Sequence, residues 1–325
     1  MEERVGITTT LPVEVILAAG LVPIDLNNLF ISHARRAELL KHAELDGFVN
    51  RTCAWIRGIY SAVLEEKIKT VVPVYRGDCS NTEALAEVLS LEKIRIVPFA
   101  YPIEPKEKNV AIEIKKIARL FKTTVLEAEK KRKDLLSVRK LLSDIDNLNA
   151  MGKLPASAAF RWLVSSSDFE GDPKNFENKL GEFLSAQKLL VSWESRPRLG
   201  FIGVPPIIDD LLDTFENLGA HIAYLEVPRQ FAMLNSSKNL AQQYARYTYP
   251  YGMVYRLNDI LREIKSRSIV GLVHYVQSFC HRQIEDIVLR RSVDVPVLTI
   301  EADEPANVSE NLRVRIEAFL EMLEP

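Results

Sequence analysis

Short β-branched runs alternate with helical stretches at both ends of this 325-residue chain and are missing from its middle. That pattern constrains the fold more than any other feature. Near the amino end, Val22–Leu26 reads as a short apolar strand, Thr70–Tyr75 (TVVPVY) as a buried one and Ile94–Phe99 (IRIVPF) as a third. Helices are expected from Leu11 to Gly20, roughly Ser32 to Leu45, Cys53 to Glu66 and Asn81 to Leu89. Strands that alternate with helices favour a parallel sheet covered by helices. The carboxyl end has the same texture. Leu199–Val204, Ala220–Val227, Ile269–Val276 and Val295–Ile300 read as strands. Pro206–Leu218, Cys280–Arg291, Leu312–Leu323 and stretches around Leu240 and Leu257 read as helices.

From about Lys106 to Trp193 there is almost no strand signal, and helices are expected at Ala156–Val164 and Asn175–Leu190. The expected fold is therefore α/β, with two Rossmann-like domains over residues 1–105 and 196–325 and a helical linker region over 106–195. Within that linker, Lys106–Lys140 carries 12 Lys or Arg against 5 Asp or Glu. Such an excess is either a solvated helix face or a docking surface for an anionic ligand or acidic partner.

Several classes of function are disfavoured. A net charge of −2 does not suit electrostatic binding of nucleic acid, and no apolar run has the ~18 residues of a membrane helix. The first residues, MEERVGITTT, are too acidic and polar for a secretory leader, so a cytoplasmic location is expected. Neither a GxGxxG nor a GxxxxGK[ST] run is present, and HExxH, GxSxG and CxxC are missing too.

Chemistry then falls to the three cysteines. Cys79 follows the Thr70–Tyr75 strand and precedes a helix, Cys280 follows the Ile269–Val276 strand and opens the next helix, and Cys53 sits at a helix start. Open α/β sheets gather ligands at the carboxyl ends of their strands, and helix amino termini there favour thiolate. Three such junctions can bring three thiolates to one metal centre between the domains; soft thiolates select zinc or iron–sulfur. The alternative is three small buried hydrophobes. His281 is a candidate proton donor beside Cys280, and Tyr249 a candidate hydroxyl, with Tyr251 and Tyr255 nearby. Arg57 is expected to balance charge near Cys53 or to pair on the surface, and Glu14 to serve the first helix cap.

Five ordered segments resemble one family. Leu11–Pro23 (LPVEVILAAGLVP) is similar to the amino-terminal segment of the 2-hydroxyacyl-CoA dehydratase and benzoyl-CoA reductase subunits. Cys53-Ala54-Trp55-Ile56-Arg57-Gly58, Gly77-Asp78-Cys79-Ser80 and Gln277-Ser278-Phe279-Cys280 resemble the surroundings of that family's three cysteines. Leu312–Glu321 (LRVRIEAFLE) resembles its last helix. Ser80 and His281 stand where many relatives have Asp, and Tyr249-Pro250 where many have Cys-Pro. The absence of further cysteines argues against a double-cubane cluster.

The resemblance implies two Rossmann-like domains and one [4Fe-4S] cluster on Cys53, Cys79 and Cys280, with one iron left open to substrate. It also implies low-potential electrons from an ATP-dependent iron–sulfur activator and pairing as a homodimer or with a sister subunit. The implied substrate is an acyl-CoA. One electron added to its thioester carbonyl gives a ketyl radical that expels the hydroxyl, and related members carry out reductions. The alternative is a non-catalytic electron-relay or scaffold subunit.

Overall fold

The computed structural model describes residues 3–186 and 196–323. Among the described residues ten strands form three parallel sheets, as the alternating pattern predicts for Rossmann-like α/β domains. The described residues fall into two compact units, each discontinuous in sequence. One comprises Met1–Lys140, Ser165–Lys179 and Met233–Tyr251, and the other Leu141–Val164, Leu180–Ala232 and Gly252–Pro325.

The first unit holds β1 (Arg4–Ile7), β2 (Val22–Asp25), β3 (Thr70–Val72), β4 (Val74–Arg76), β5 (Arg95–Ile96) and β6 (Phe99–Ala100). Four of them pair in the order β2-β1-β3-β5, and β4 pairs with β6. β1 is an interior strand that the sequence reading missed. Only Val5 and Ile7 carry its apolar signal, and Gly6 breaks the run because a Cβ there would stand 2.8 Å from the Leu26 side chain.

Two expected long strands are each split at a proline. Pro73 separates β3 from β4, and Pro98 lies between β5 and β6. Proline offers no N–H to a ladder, yet pairing passes the break: Val97 N–H donates to Val71 O at 2.9 Å and Phe99 N–H to Pro73 O at 3.0 Å. The helix Ala54–Glu65 covers this sheet as its spacing predicts. Ile56, Tyr60 and Val63 are buried against Val71, Leu85 and Leu89.

Two helices follow β2: Leu26–Ile31, which the sequence reading missed, and Arg36–Leu45, which is the helix expected over Ser32–Leu45. The Asp25 carboxylate accepts the Asn27 N–H at 2.9 Å and starts the first of them directly at the end of β2. Farther on, the described residues from Glu107 to Ala186 contain no strand; their α-helices are Glu107–Leu120, Val125–Asp134, Leu136–Ala150, Ala156–Val164 and Pro173–Ala186. The end of the expected Asn175–Leu190 helix, from 187 on, lies outside the described residues. In the basic stretch the lysines lie at the surface, whereas Arg132 and Arg139 are buried.

The second unit holds β7 (Arg198–Gly203), β8 (His221–Leu225), β9 (Gly271–Gln277) and β10 (Val297–Ala302), ordered β10-β9-β7-β8. Ile202, Ala223 and Leu272 of the sheet pack with Met253 and Ile260 of the helix Met253–Ser266 and with Leu289. The expected helix Pro206–Leu218 begins only at Leu211. The N–H of Asp209 goes to Ala306 O at 2.9 Å rather than to the carbonyl four residues back, and the Tyr275 hydroxyl holds the Ile207 N–H at 3.0 Å, so the segment before Leu211 is tied to its neighbours instead of winding into a helix. The strand expected to run to Val227 ends at Leu225, and Glu226–Ala232 is helical. The helix expected over Cys280–Arg291 is a short 3-10 turn, His281–Ile284, followed by the helix Glu285–Arg290.

Candidate functional site

None of the three cysteines is bridged in a disulfide. Cys53 and Cys79 belong to the first unit and flank the same apolar cluster. Cys53 caps the helix Ala54–Glu65 and is buried, 9% exposed. One turn on, Arg57 is fully buried rather than paired at the surface. Its Nε donates to Thr52 O at 2.8 Å and its Nη1 to Glu44 Oε1 at 2.5 Å. The backbone entering Cys53 is thereby tied to a buried cation.

Cys79 is half-buried just before the helix Asn81–Leu91. The N–H of Asn81, first in that helix, donates to Cys79 Sγ at 3.4 Å, an arrangement that favours negative charge on sulfur. Gly77 makes the turn leading to it. Its φ is +104°, and a Cβ there would lie 2.6 Å from Pro250 Cβ and 2.8 Å from the Tyr101 ring. The Cys79 loop therefore rests directly on an aromatic cluster.

That cluster contains Tyr249. It is 8% exposed, with its ring centroid 6.4 Å from that of Tyr247, which lies 5.8 Å from Tyr101. Tyr251 is also buried, 6.1 Å from Tyr101, whereas Tyr255 is exposed. Glu14 serves no helix cap. It is fully buried and accepts hydrogen bonds from Arg139 Nη2 at 3.2 Å, Gln243 Nε2 at 2.8 Å and the Tyr244 hydroxyl at 2.8 Å.

In the second unit, Cys280 follows β9 and caps the turn His281–Ile284; it is half-buried. Its N–H donates to Gln277 O at 3.1 Å, closing a tight turn in which Phe279 has a φ of +61°. That conformation is unfavourable for a bulky side chain, and the Phe279 ring is 62% exposed. His281 lies at the surface. Partial desolvation, then the neighbouring Arg282, lowers its pKa below the ordinary histidine value, with Glu285 opposing.

Two buried acid–base constellations carry no sequence signal. In the first unit Asp168, 5% exposed, accepts the N–H of Asp25. Burial and then the Asp25 charge push the Asp168 carboxyl up to about 7. In the second unit His274 is fully buried. Its Nδ1 is 2.8 Å from Asp286 Oδ1, its Nε2 meets no hydrogen-bond partner, and burial lowers its pKa.

Among the described residues no group of three or more His, Cys, Asp and Glu side chains is arranged to hold a metal ion, and no helix is long and apolar enough to cross a membrane. As donors the cysteines suit a soft metal centre: none is in a disulfide, two of them belong to or pack against one apolar cluster, and Cys79 sulfur accepts a backbone N–H.

Comparison with curated proteins gave no match. A family model described as 2-hydroxyglutaryl-CoA dehydratase, D-component, matches residues 8–323, a span that takes in the three cysteines, Tyr249 and His281. With nearly its whole length matched, the chain belongs to the 2-hydroxyglutaryl-CoA dehydratase D-component family.

Proposed function

We propose that this protein is the [4Fe-4S]-bearing subunit of a 2-hydroxyacyl-CoA dehydratase-like system, supplied with low-potential electrons by an ATP-dependent iron–sulfur activator. Its family membership supports a dehydratase-type subunit. The observation that carries the cluster assignment is the placement of the thiols. Each lies at or just before a helical amino end, two of them three residues past strands of parallel sheets.

In this reading Cys53, Cys79 and Cys280 hold the cluster. When bound, a cluster on three thiolates supplies one-electron chemistry and an iron with an exchangeable position. The chain's own residues set the surroundings. Arg57 places a buried positive charge one turn past Cys53, and Arg282 another two residues past Cys280. His281, next to Cys280, offers a ring nitrogen to accept or pass a proton. Tyr249 offers a hydroxyl from the aromatic cluster under the Cys79 loop. The acyl-CoA is the substrate, and the working assembly is a homodimer or a pair with a sister subunit, located in the cytoplasm.

Anaerobic purification with iron and acid-labile sulfide analysis tests the assignment, followed by EPR of the reduced protein with and without 2-hydroxyacyl-CoA compounds. Close to four irons and four sulfides per chain are expected, with a spectrum that changes on adding substrate. Purified protein that stays free of iron after anaerobic reconstitution overturns it. A spectrum indifferent to every acyl-CoA favours the relay or scaffold reading instead.

A further inference from the structure

Arg256, in the helix Met253–Ser266, has no solvent exposure and is the hub of a buried ionic network. Its Nε and Nη2 clasp the two carboxylate oxygens of Glu226 at 2.7 and 2.6 Å. Its Nη2 also faces Gly203 O at 3.3 Å, and its Nη1 donates to Glu285 Oε2 at 2.7 Å. Glu226 follows β8 directly, and it accepts the N–H of Gly203, the last residue of β7, at 3.2 Å. Gly203 itself has no room for a side chain: a Cβ would lie 2.0 Å from Tyr275 O of β9. The carboxyl ends of two neighbouring strands are thus fastened to one guanidinium.

The remaining arm of Arg256 reaches Glu285, five residues past Cys280. Glu285 is the first residue of the helix Glu285–Arg290 and also takes Arg282 Nη1, at 3.3 and 3.4 Å. Arg282 is 5% exposed. The short turn between Cys280 and that helix is therefore gripped from its far side, while the Cys280 N–H bond to Gln277 O fixes its near side to β9. An Arg–Glu pair with no exposure recovers its desolvation cost only through good geometry, and apolar replacements are often as stable. Stability alone gives a weak reason for such a pair at this point. Geometry gives a stronger one, because the network holds one rigid guanidinium fork against two strand ends and the turn after Cys280.

We infer that Arg256 is the positioning residue of Cys280: through Glu285 it fixes the turn 280–285 to the carboxyl ends of β7 and β8, and so sets where the thiol points. The consequence for iron rests on the proposed cluster, but the positioning does not.

The test uses the iron-free full chain, so that the two readings separate. Wild type, the double variant Arg256→Met/Glu226→Gln and Arg256→Lys are treated with iodoacetamide under reducing conditions, and alkylation is followed peptide by peptide. The double variant removes both charges of the pair and leaves no orphaned carboxylate at Glu226. The Cys280 rate should change by about threefold or more, because thiol reactivity follows local charge and access. Cys53 and Cys79 should keep their rates. Arg256→Lys retains charge but loses the fork, so it should shift Cys280 in the same direction; it also serves if the double variant does not fold. A folded variant in which Cys280 reacts at the wild-type rate overturns the inference, and so does one in which all three thiols change alike. After reconstitution, a variant with altered EPR g-values and unchanged thermal stability supports positioning over a general structural role. If wild type takes up no iron while the Cys280-selective change persists, the cluster reading fails and the positioning stands.

Discussion

The backbone N–H of Asp25 points at the carboxylate of Asp168, 2.6 Å from Oδ2, and so joins the end of β2 to a residue 143 positions away. Both side chains are buried, and Asp168 also accepts the Glu170 N–H at 3.0 Å. Phe169, Glu170 and Gly171 all have positive φ, so the carboxylate braces three consecutive left-handed residues. The loss of water, and then the charge of Asp25, raise the Asp168 pKa from 3.8 to about 7. A carboxyl raised on folding contributes stability that is complete below its unfolded pKa and lost as pH rises through its folded one. Stability should therefore fall between about pH 4 and 7, by up to roughly 4 kcal/mol at 1.36 kcal/mol per pKa unit. Urea titrations across that range should show the slope in wild type and a flatter profile in Asp168→Asn. Equal slopes in the two proteins would assign the pH dependence to another group.

His274 acts in the opposite direction. Its pKa is lowered by burial, although Asp286 beside Nδ1 works to raise it. A histidine depressed on folding supports the fold above its unfolded pKa of 6.5, and that support declines as pH falls below this value. Protonation also places an N–H on Nε2, where no acceptor waits. Hydrogen-exchange protection factors, corrected for the intrinsic slowing of exchange in acid, should accordingly fall in β9 and β10 on going from pH 7 to 5, while those of residues 165–171 rise. His274→Gln should abolish the acid-side loss of protection in β9 and leave residues 165–171 unaffected. A loss that persists in the variant would exclude His274 as its source.

Much of this architecture was legible from local pattern. The β-branched runs of both ends are the strands of parallel sheets, and the apolar spacing of Ile56, Tyr60 and Val63 marks a helix face buried against one of them. Local pattern failed where a neighbour set the outcome. β1 is only four residues long, and its glycine is required by Leu26. The helix expected from Pro206 starts late because Tyr275 and Ala306 hold the segment before Leu211 through the N–H groups of Ile207 and Asp209. The placement of the three cysteines at or just before helical starts was legible from sequence because it is a local property. Asp25 with Asp168, or Arg256 with Glu226 and Glu285, could not. Those contacts join residues far apart in the chain, and each residue alone resembles an ordinary surface charge.

Gly77 offers a direct check on the Cys79 loop. With φ at +104° and Pro250 and Tyr101 within 3 Å of an added Cβ, Gly77→Ala meets both backbone strain and steric overlap. The cost should be roughly 1–3 kcal/mol. The loop should also shift away from the aromatic cluster, so Cys79 should alkylate faster and reconstituted iron should fall. A variant with wild-type melting temperature and wild-type Cys79 reactivity would show that the loop tolerates the methyl group and that the close approach has no role in placing the thiol.

Phe279 carries two unfavourable features at once, a left-handed backbone and a largely exposed ring. Neither contributes to folding. Phe279→Gly should therefore raise stability by about 1 kcal/mol, the usual scale of relief when glycine replaces a bulky residue at positive φ. A lower melting temperature in the variant would mean that the ring makes stabilising contacts after all.

The cysteines provide the decisive series. Serine keeps nearly the same shape but replaces a soft thiolate by a hard hydroxyl, a poor ligand for an iron–sulfur centre. If Cys53, Cys79 and Cys280 hold one cluster, each of Cys53→Ser, Cys79→Ser and Cys280→Ser should lose most of its iron after anaerobic reconstitution and retain its fold by circular dichroism. The losses should not add, because a cluster missing one of three ligands is already lost; a double variant should look like either single one. Full iron in Cys280→Ser would restrict the site to the first unit, where Cys53 and Cys79 flank one apolar cluster, and would remove the second unit from the ligand set.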